Sequence, residues 1–216
     1  SGVSAVGHAV ALQATGVITQ SAPIAAASLA VETSGDVVLD RDNSVAIFAA
    51  NVGLSNNLEF KNVGNLSVGM LATANGPVYG VHGNNVVINV KPSGDSNTLS
   101  ISDDSSQILG GPGAAVVLSA DRINISTVNS GIVRGWDGPL GVVWLKPYSS
   151  TRPVEVVASK TVGNDPGKLE LMASGDGSQS FDLAAVRTPV LRIGALGAGN
   201  SLTISAPIDM DNLDSD

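Results

Sequence analysis

Gly35-Asp36-Val37-Val38-Leu39 and Asn43-Ser44-Val45-Ala46-Ile47-Phe48, followed by Asn57-Leu58-Glu59-Phe60 and Gly64-Asn65-Leu66-Ser67-Val68, decide the fold. Each is a turn residue or pair leading into a short apolar run. The runs are too short and too rich in β-branched residues for helices, and several alternate apolar with polar side chains at the period of a strand. The Gly and Asn residues before them accept positive φ cheaply and so turn the chain between strands. Gly76-Pro77 and Gly83-Asn84-Asn85, the latter ahead of Val86-Val87-Ile88-Asn89-Val90, continue the pattern. Outward from here, the starts of the runs form two interleaved series. One is Val17, Val37, Leu58, Val78 and Leu99, at steps of 20, 21, 20 and 21; the other is Ile24, Val45, Leu66 and Val86, at steps of 21, 21 and 20.

Two series sharing one period imply a supersecondary unit repeated as a solenoid. If each turn of about twenty residues lays a strand over its predecessor, the strands stack as parallel ladders roughly 4.8 Å apart, and the rest of the turn is the crossover that parallel strands need. The spacing therefore predicts an all-β parallel β-helix. Val37, Leu58, Val78 and Leu99 should form one inward ladder, and Val45, Leu66 and Val86 a second.

Composition agrees with a narrow aliphatic core. Hydrophobic residues make up 43% of the 216, while aromatics are only 3% and charged residues 14%. A core of stacked Val, Ile, Leu and Ala needs few rings, and 25 glycines suit a chain that turns often. The net charge of −8 and an isoelectric point near 4.5 argue against nucleic acid, whose partners carry clustered Lys and Arg. With no cysteine, disulfides and thiolate metal sites are excluded. No apolar run approaches the roughly twenty residues of a membrane-spanning helix, so no membrane insertion is expected. The chain opens at Ser1 without a charged segment and apolar core of the signal-peptide kind, and reads as a piece excised from something longer.

Along the chain, Ala9-Val10-Ala11-Leu12 and Val17-Ile18-Thr19 are expected strands. The Ala-rich run 24–31 has helix propensity, but Pro23 precedes it and the repeat passes through it, so strand is preferred to a helical turn. Residues 1–106 read as regular short turns. Beyond them Leu99-Ser100-Ile101, Ala115-Val116-Val117-Leu118 and Ile123-Asn124-Ile125 are expected strands, with Gly110-Gly111-Pro112-Gly113 a loop. A longer step of 27 then links Ala115 to Val142, Val142 to Leu169 and Val154 to Phe181. Residues 107–208 are therefore read as longer turns with protruding loops, where solenoids keep their specificity, and 209–216 as an acidic flexible tail. All of 1–216 forms a single elongated segment on this reading.

Gly16-Val17-Ile18-Thr19-Gln20, Ile24, Ala27-Ser28-Leu29 and Gly35-Asp36-Val37-Val38-Leu39 resemble the repeats of filamentous-haemagglutinin-like large exoproteins of two-partner secretion systems. Asn43-Ser44-Val45, Leu58-Glu59-Phe60, Gly64-Asn65-Leu66-Ser67-Val68-Gly69 and Asn84-Asn85-Val86-Val87-Ile88 continue that register. Val190-Leu191-Arg192-Ile193-Gly194, Ser201-Leu202-Thr203-Ile204-Ser205 and Pro207-Ile208 are similar to a recurring turn of the same family. The resemblance implies a right-handed parallel β-helix in a secreted, surface-exposed adhesin of a Gram-negative bacterium. It further implies a host or bacterial surface receptor, a glycan among the candidates, and an outer-membrane transporter for the full-length parent. No stretch matches the family's amino-terminal secretion domain, which makes this an interior or distal shaft segment.

Candidate ligand-binding residues gather after Ile125. Trp136, in the loop Arg134-Gly135-Trp136-Asp137-Gly138-Pro139, stands between Arg134 and Asp137, with Tyr148 and Arg152 following. An exposed ring beside charged groups can hold a sugar face; the competing reading has Trp136 fold back to cover an opening in the shaft. Trp144, inside Val142-Val143-Trp144-Leu145, reads as core. The tail Asp209-Met210-Asp211-Asn212-Leu213-Asp214-Ser215-Asp216 alternates oxygen ligands but lacks the Gly and closing Glu of a calcium loop, so no metal is assigned. Asp40-Arg41-Asp42 and Asp103-Asp104 read as solvated turns. Asp121-Arg122, near Arg134 and Asp137, is the one concentration of acid and base that a polysaccharide-cleaving β-helix could use. His8 and His82 lie in no nucleophile motif, His82 reading as a turn residue. No catalytic residue and no cofactor are expected. The expectation is a structural and adhesive segment, not an enzyme; the alternative is a carbohydrate-binding or polysaccharide-cleaving β-helix.

Overall fold

Val86–Lys91 sends Val86, Ile88 and Val90 inward and leaves Val87, Asn89 and Lys91 half-buried on the outer side. The same alternation shapes Leu58–Val63 and Val142–Lys146. In the computed structural model the described residues are 2–94, 97–101, 106–125, 133–134, 141–161, 167–173, 182–195 and 200–208, with only the backbone of Arg134. Among them the chain is all-β, with no helix. A 16-stranded parallel sheet holds most of the strands and curls as the chain passes repeatedly through three lanes.

The first lane stacks Ile18, Val37, Leu58, Val86, Val116, Val143 and Leu191 in register. Beside that ladder runs another of Leu39, Phe60, Ile88, Leu118, Leu145 and Ile193. The second lane stacks Leu29, Phe48, Val68, Ile101 and Ile125. The third stacks Ala50, Val81, Ile108, Val133 and Val186. Phe48 and Phe60 join the second lane to the first across the core, their rings stacked with centroids 3.9 Å apart and planes 7° from parallel. Residues 24–31, the ambiguous run, lie within the strand Ile24–Glu32. The expected strands at 9–12, 99–101, 115–118 and 123–125 are likewise present.

Carboxamides and carboxylates hold the corners between passes. Asp36 Oδ1 accepts from Asn57 N–H at 2.7 Å, Asn57 Oδ1 accepts from Asn85 Nδ2 at 2.8 Å, and Asn85 Oδ1 accepts from Ala115 N–H at 3.0 Å. At another corner Asn43 and Asn62, both buried, lie opposite each other. Asn43 Oδ1 accepts from Ile24 N–H at 2.8 Å, and Asn62 Oδ1 accepts from Val45 N–H at 2.9 Å. The N–H groups of Ile24 and Val45 would otherwise be buried without partners, which the carboxamides of Asn43 and Asn62 prevent.

The register differs from the twenty-residue expectation after Val68. Leu58 pairs with Val86 rather than Val78, and Leu99 pairs with Leu66 and Ile123 in the second lane. Val78 belongs to an inserted antiparallel hairpin, Met70–Thr73 against Gly76–Tyr79. The insert separates the second lane from the third and lengthens that pass to 28 residues, from Leu58 to Val86. Longer passes thus begin at Leu58, not at Ala115. All of the expected inward residues are buried, and Val37 pairs with Leu58 as expected, but the pairing fails from Leu58 onward. The chain leaves the hairpin at Gly80, whose φ is +60°; a Cβ there would meet the Gln107 carbonyl oxygen at 2.0 Å, so only glycine fits against the next pass.

The Ala115 to Val142 step of 27 is a true register pair, but Val142 continues to Val190, while Leu169 pairs with Val154. Phe181 lies outside the described residues. Two strands of this longest pass and one that follows it form a smaller parallel sheet in the order Leu169–Met172, Val154–Val157, Leu202–Ile204, which is out of sequence order.

Candidate functional site

Of the five residues singled out from the sequence, Tyr148 and Arg152 are described in full and Arg134 by its backbone alone. Trp136 and Asp137 lie outside the described residues. The backbone of Arg134 pairs with Leu109 and Arg187 in the third lane. Tyr148 and Arg152 follow the far end of Val142–Lys146, a strand of 5 residues. Arg152 is a brace: its Nη2 donates to the Lys168 carbonyl at 3.1 Å and its Nη1 is 3.9 Å from Asp121 Oδ2. Asp121, the residue that suggested cleavage chemistry, is buried and accepts from Ser149 N–H at 2.8 Å and Ser149 Oγ at 2.5 Å. It clamps a corner.

Trp144 is not core. Val143 and Leu145 point inward, so the ring between them lies half-buried on the outer side, in register with Val117 and Arg192. Its Nε1 donates to the Gly194 carbonyl at 2.6 Å, and Lys146 Nζ sits 4.4 Å from the ring centroid. Beside it opens a largely apolar pocket of about 570 Å³ lined by Trp144, Val154, Arg192, Ile193, Asn200 and Leu202. A ring already bonded at its N–H and covered by an ammonium keeps only its remaining edge and face for a ligand. The alternation in Val142-Val143-Trp144-Leu145, read at period two, is the signal that would have turned this side chain outward.

A second concentration of charge lies between Arg122–Ile125 and Leu169–Met172, drawn from residues scattered in sequence. Asp182, 1% exposed, accepts from Ile125 N–H and Met172 N–H, each at 2.9 Å. Lys160 Nζ meets Asp182 Oδ2 at 2.5 Å, the Ile123 carbonyl at 2.6 Å and Asn124 Oδ1 at 3.0 Å. Those three contacts match the three donors of an ammonium, so Lys160 has no spare donor for a ligand. Burial pushes the Asp182 carboxyl above its ordinary value, while Lys160 and the two amides pull it back down. Nearby, Glu170 accepts from Thr161 N–H at 2.9 Å and Thr161 Oγ1 at 2.8 Å.

On the outer surface Asp42 bridges Lys61 at 2.7 Å and Lys91 at 2.6 Å, tying together three passes. The two ammonium groups lower its carboxyl from 3.8 to about 2. A carboxyl lowered on folding adds stability above its unfolded value and loses that stability as pH falls through the folded one. The melting difference between the parent and Asp42→Asn should thus be present at about pH 5, shrink below 3.8 and vanish near 2. Because Asp42 is 43% exposed the difference will be small, and added salt should reduce it.

His8 lies exposed in Val3–Gln13, and His82, whose pKa burial lowers, ends the strand Val81–His82 instead of forming a turn. Among the described residues no group of three or more His, Cys, Asp or Glu is placed to hold a metal ion. The acidic tail and Asp103-Asp104 lie outside the described residues. No protein-family model, no curated protein and no solved structure matches the chain.

Proposed function

We propose that the chain is a right-handed parallel β-helix serving as a structural and adhesive shaft segment of a secreted bacterial surface exoprotein, similar to filamentous-haemagglutinin-like proteins. The observation that carries this reading is the first lane, in which seven successive passes stack in parallel register over a continuous aliphatic core. Such an array grows by adding passes, and it accommodates an insert such as the hairpin at residues 70–79 without losing the register of the first lane. The acids Asp121, Asp182 and Glu170 are engaged by backbone amides, hydroxyls or ammonium groups, which favours a scaffold over a cleaving enzyme. The full-length parent would leave the cell through an outer-membrane transporter and meet a host or bacterial surface receptor. Weak contacts of this kind gain strength when many copies line one fibre.

Imaging of the full-length parent tests the reading: a long rod at the cell surface, with attachment lost when the rod is deleted, is expected. A compact intracellular particle, or release of unsaturated products from a uronic-acid polymer by this chain, would contradict it.

A further inference from the structure

The hairpin walls one side of a groove. Gln13, Glu32 and Asn51 lie side by side in successive passes, at the ends of their strands. Glu32 Oε2 accepts from Gln13 Nε2 at 2.5 Å and lies 3.2 Å from Thr73 Oγ1, so the hairpin is tied back onto the first two passes. Between the hairpin tip and the turn at residues 51–56 is a cleft of about 440 Å³, within the range of small-ligand sites. Gln13, Glu32, Ser34, Asn51, Asn56 and Asn75 line it, and no aromatic, Lys or Arg does.

The polar groups facing this cleft are of both kinds. Asn51 uses its Oδ1 to accept from Gly53 N–H, which leaves its Nδ2 without a partner among the described residues. Asn56 does the reverse, donating Nδ2 to the Val52 carbonyl and leaving Oδ1 unpartnered among them. Gln13 Oε1, Glu32 Oε1 and the Asn75 carboxamide likewise have no partner among the described residues. A cleft that offers both donors and acceptors suits a ligand whose every group both donates and accepts, which is the property of a hydroxyl. The lone carboxylate and the absence of a cation oppose phosphate, sulfate or uronate. A single carboxylate is too little for a divalent cation.

We propose that this groove binds a neutral oligosaccharide through its hydroxyls, with Asn51 Nδ2 donating to one hydroxyl, Asn56 Oδ1 and Glu32 accepting from others, and the Asn75 carboxamide pairing to a vicinal diol. This rests on the adhesive reading and names its ligand class, and it moves the site from the later loops to the regular passes. The test is a glycan array carrying neutral hexose and N-acetylhexosamine oligomers beside sulfated and uronic-acid ones, read with the parent and three variants. Ser55→Trp adds bulk at an exposed turn lining the groove, Asn51→Ala removes one amide, and Trp144→Ala alters the other pocket. Neutral glycans should bind the parent, fall about tenfold or more with Ser55→Trp and several-fold with Asn51→Ala, and be unchanged with Trp144→Ala. Asn51→Ala keeps the test valid if Ser55→Trp does not fold. Equal binding by all variants, a preference for acidic glycans, or no glycan bound by the parent would overturn the groove. A rod-shaped parent that still attaches to cells would, in that case, leave the shaft reading standing.

Discussion

Phe60→Ala should destabilise the protein by about 3 to 5 kcal/mol, the usual cost of emptying a buried aromatic site that cannot collapse. Phe60 is 0% exposed, sits between Leu39 and Ile88 in the first lane, and stacks on Phe48 of the second. Its removal breaks the bridge between lanes as well as the ladder, so the cavity has walls on two sheets. Those walls are fixed by hydrogen-bonded ladders and cannot move independently. Phe60→Leu, which keeps most of the volume but loses the ring contact worth about 1 kcal/mol, should cost much less. Denaturant unfolding of both variants checks this; equal, small losses would show that the two lanes do not meet at these rings.

Lys160→Met should cost about 3 to 5 kcal/mol, because it leaves Asp182 buried without its countercharge. The deficit carries a signature that a packing defect lacks. Asp182 is already raised from 3.8 in the folded state, and loss of Lys160 raises it further. A carboxyl raised on folding adds stability below its unfolded value, and that stability is lost as pH rises through the folded value. The deficit of Lys160→Met should therefore be greatest near neutral pH and shrink as the pH is lowered toward 3.8, where a protonated Asp182 needs no cation. A deficit that does not change with pH would mean that Lys160 acts through its hydrogen bonds to the Ile123 carbonyl and Asn124 and not as the countercharge of Asp182.

These two predictions divide the structure into what a sequence reading reaches and what it does not. The alternation around Phe60 and the turn residues Asp36, Asn57 and Asn85 are local signals, and they marked the strands and corners correctly. Pairing is not local. Both lanes are written in Val, Leu and Ile, so Val78 in the hairpin continued the twenty-residue count as well as a lane residue would, and the count then placed Leu99 in the wrong lane. The buried pair of Lys160 with Asp182 was invisible because its partners stand 22 positions apart in an irregular pass, with Ile125 and Met172 supplying the amides. Trp144 was misplaced for a simpler reason: an unbroken apolar run was read as core when its neighbours Val143 and Leu145 already occupied the inward positions. The groove leaves no local signal, since Gln13, Glu32 and Asn51 are ordinary strand-end residues until the passes stack.

The parallel stacking and its register can be tested by cross-linking, in a chain that contains no cysteine of its own. Glu59 and Val87 are opposite each other on the outer side of the first lane. Neighbouring strands lie about 4.8 Å apart, within reach of a disulfide. The pair Glu59→Cys and Val87→Cys should oxidise readily without loss of stability, whereas Glu59→Cys with Tyr79→Cys, the partner that a constant twenty-residue repeat would supply, should remain reduced. Non-reducing peptide mapping reads the result: a 59–87 link supports the stacked passes described here, and a 59–79 link with no 59–87 product would contradict them.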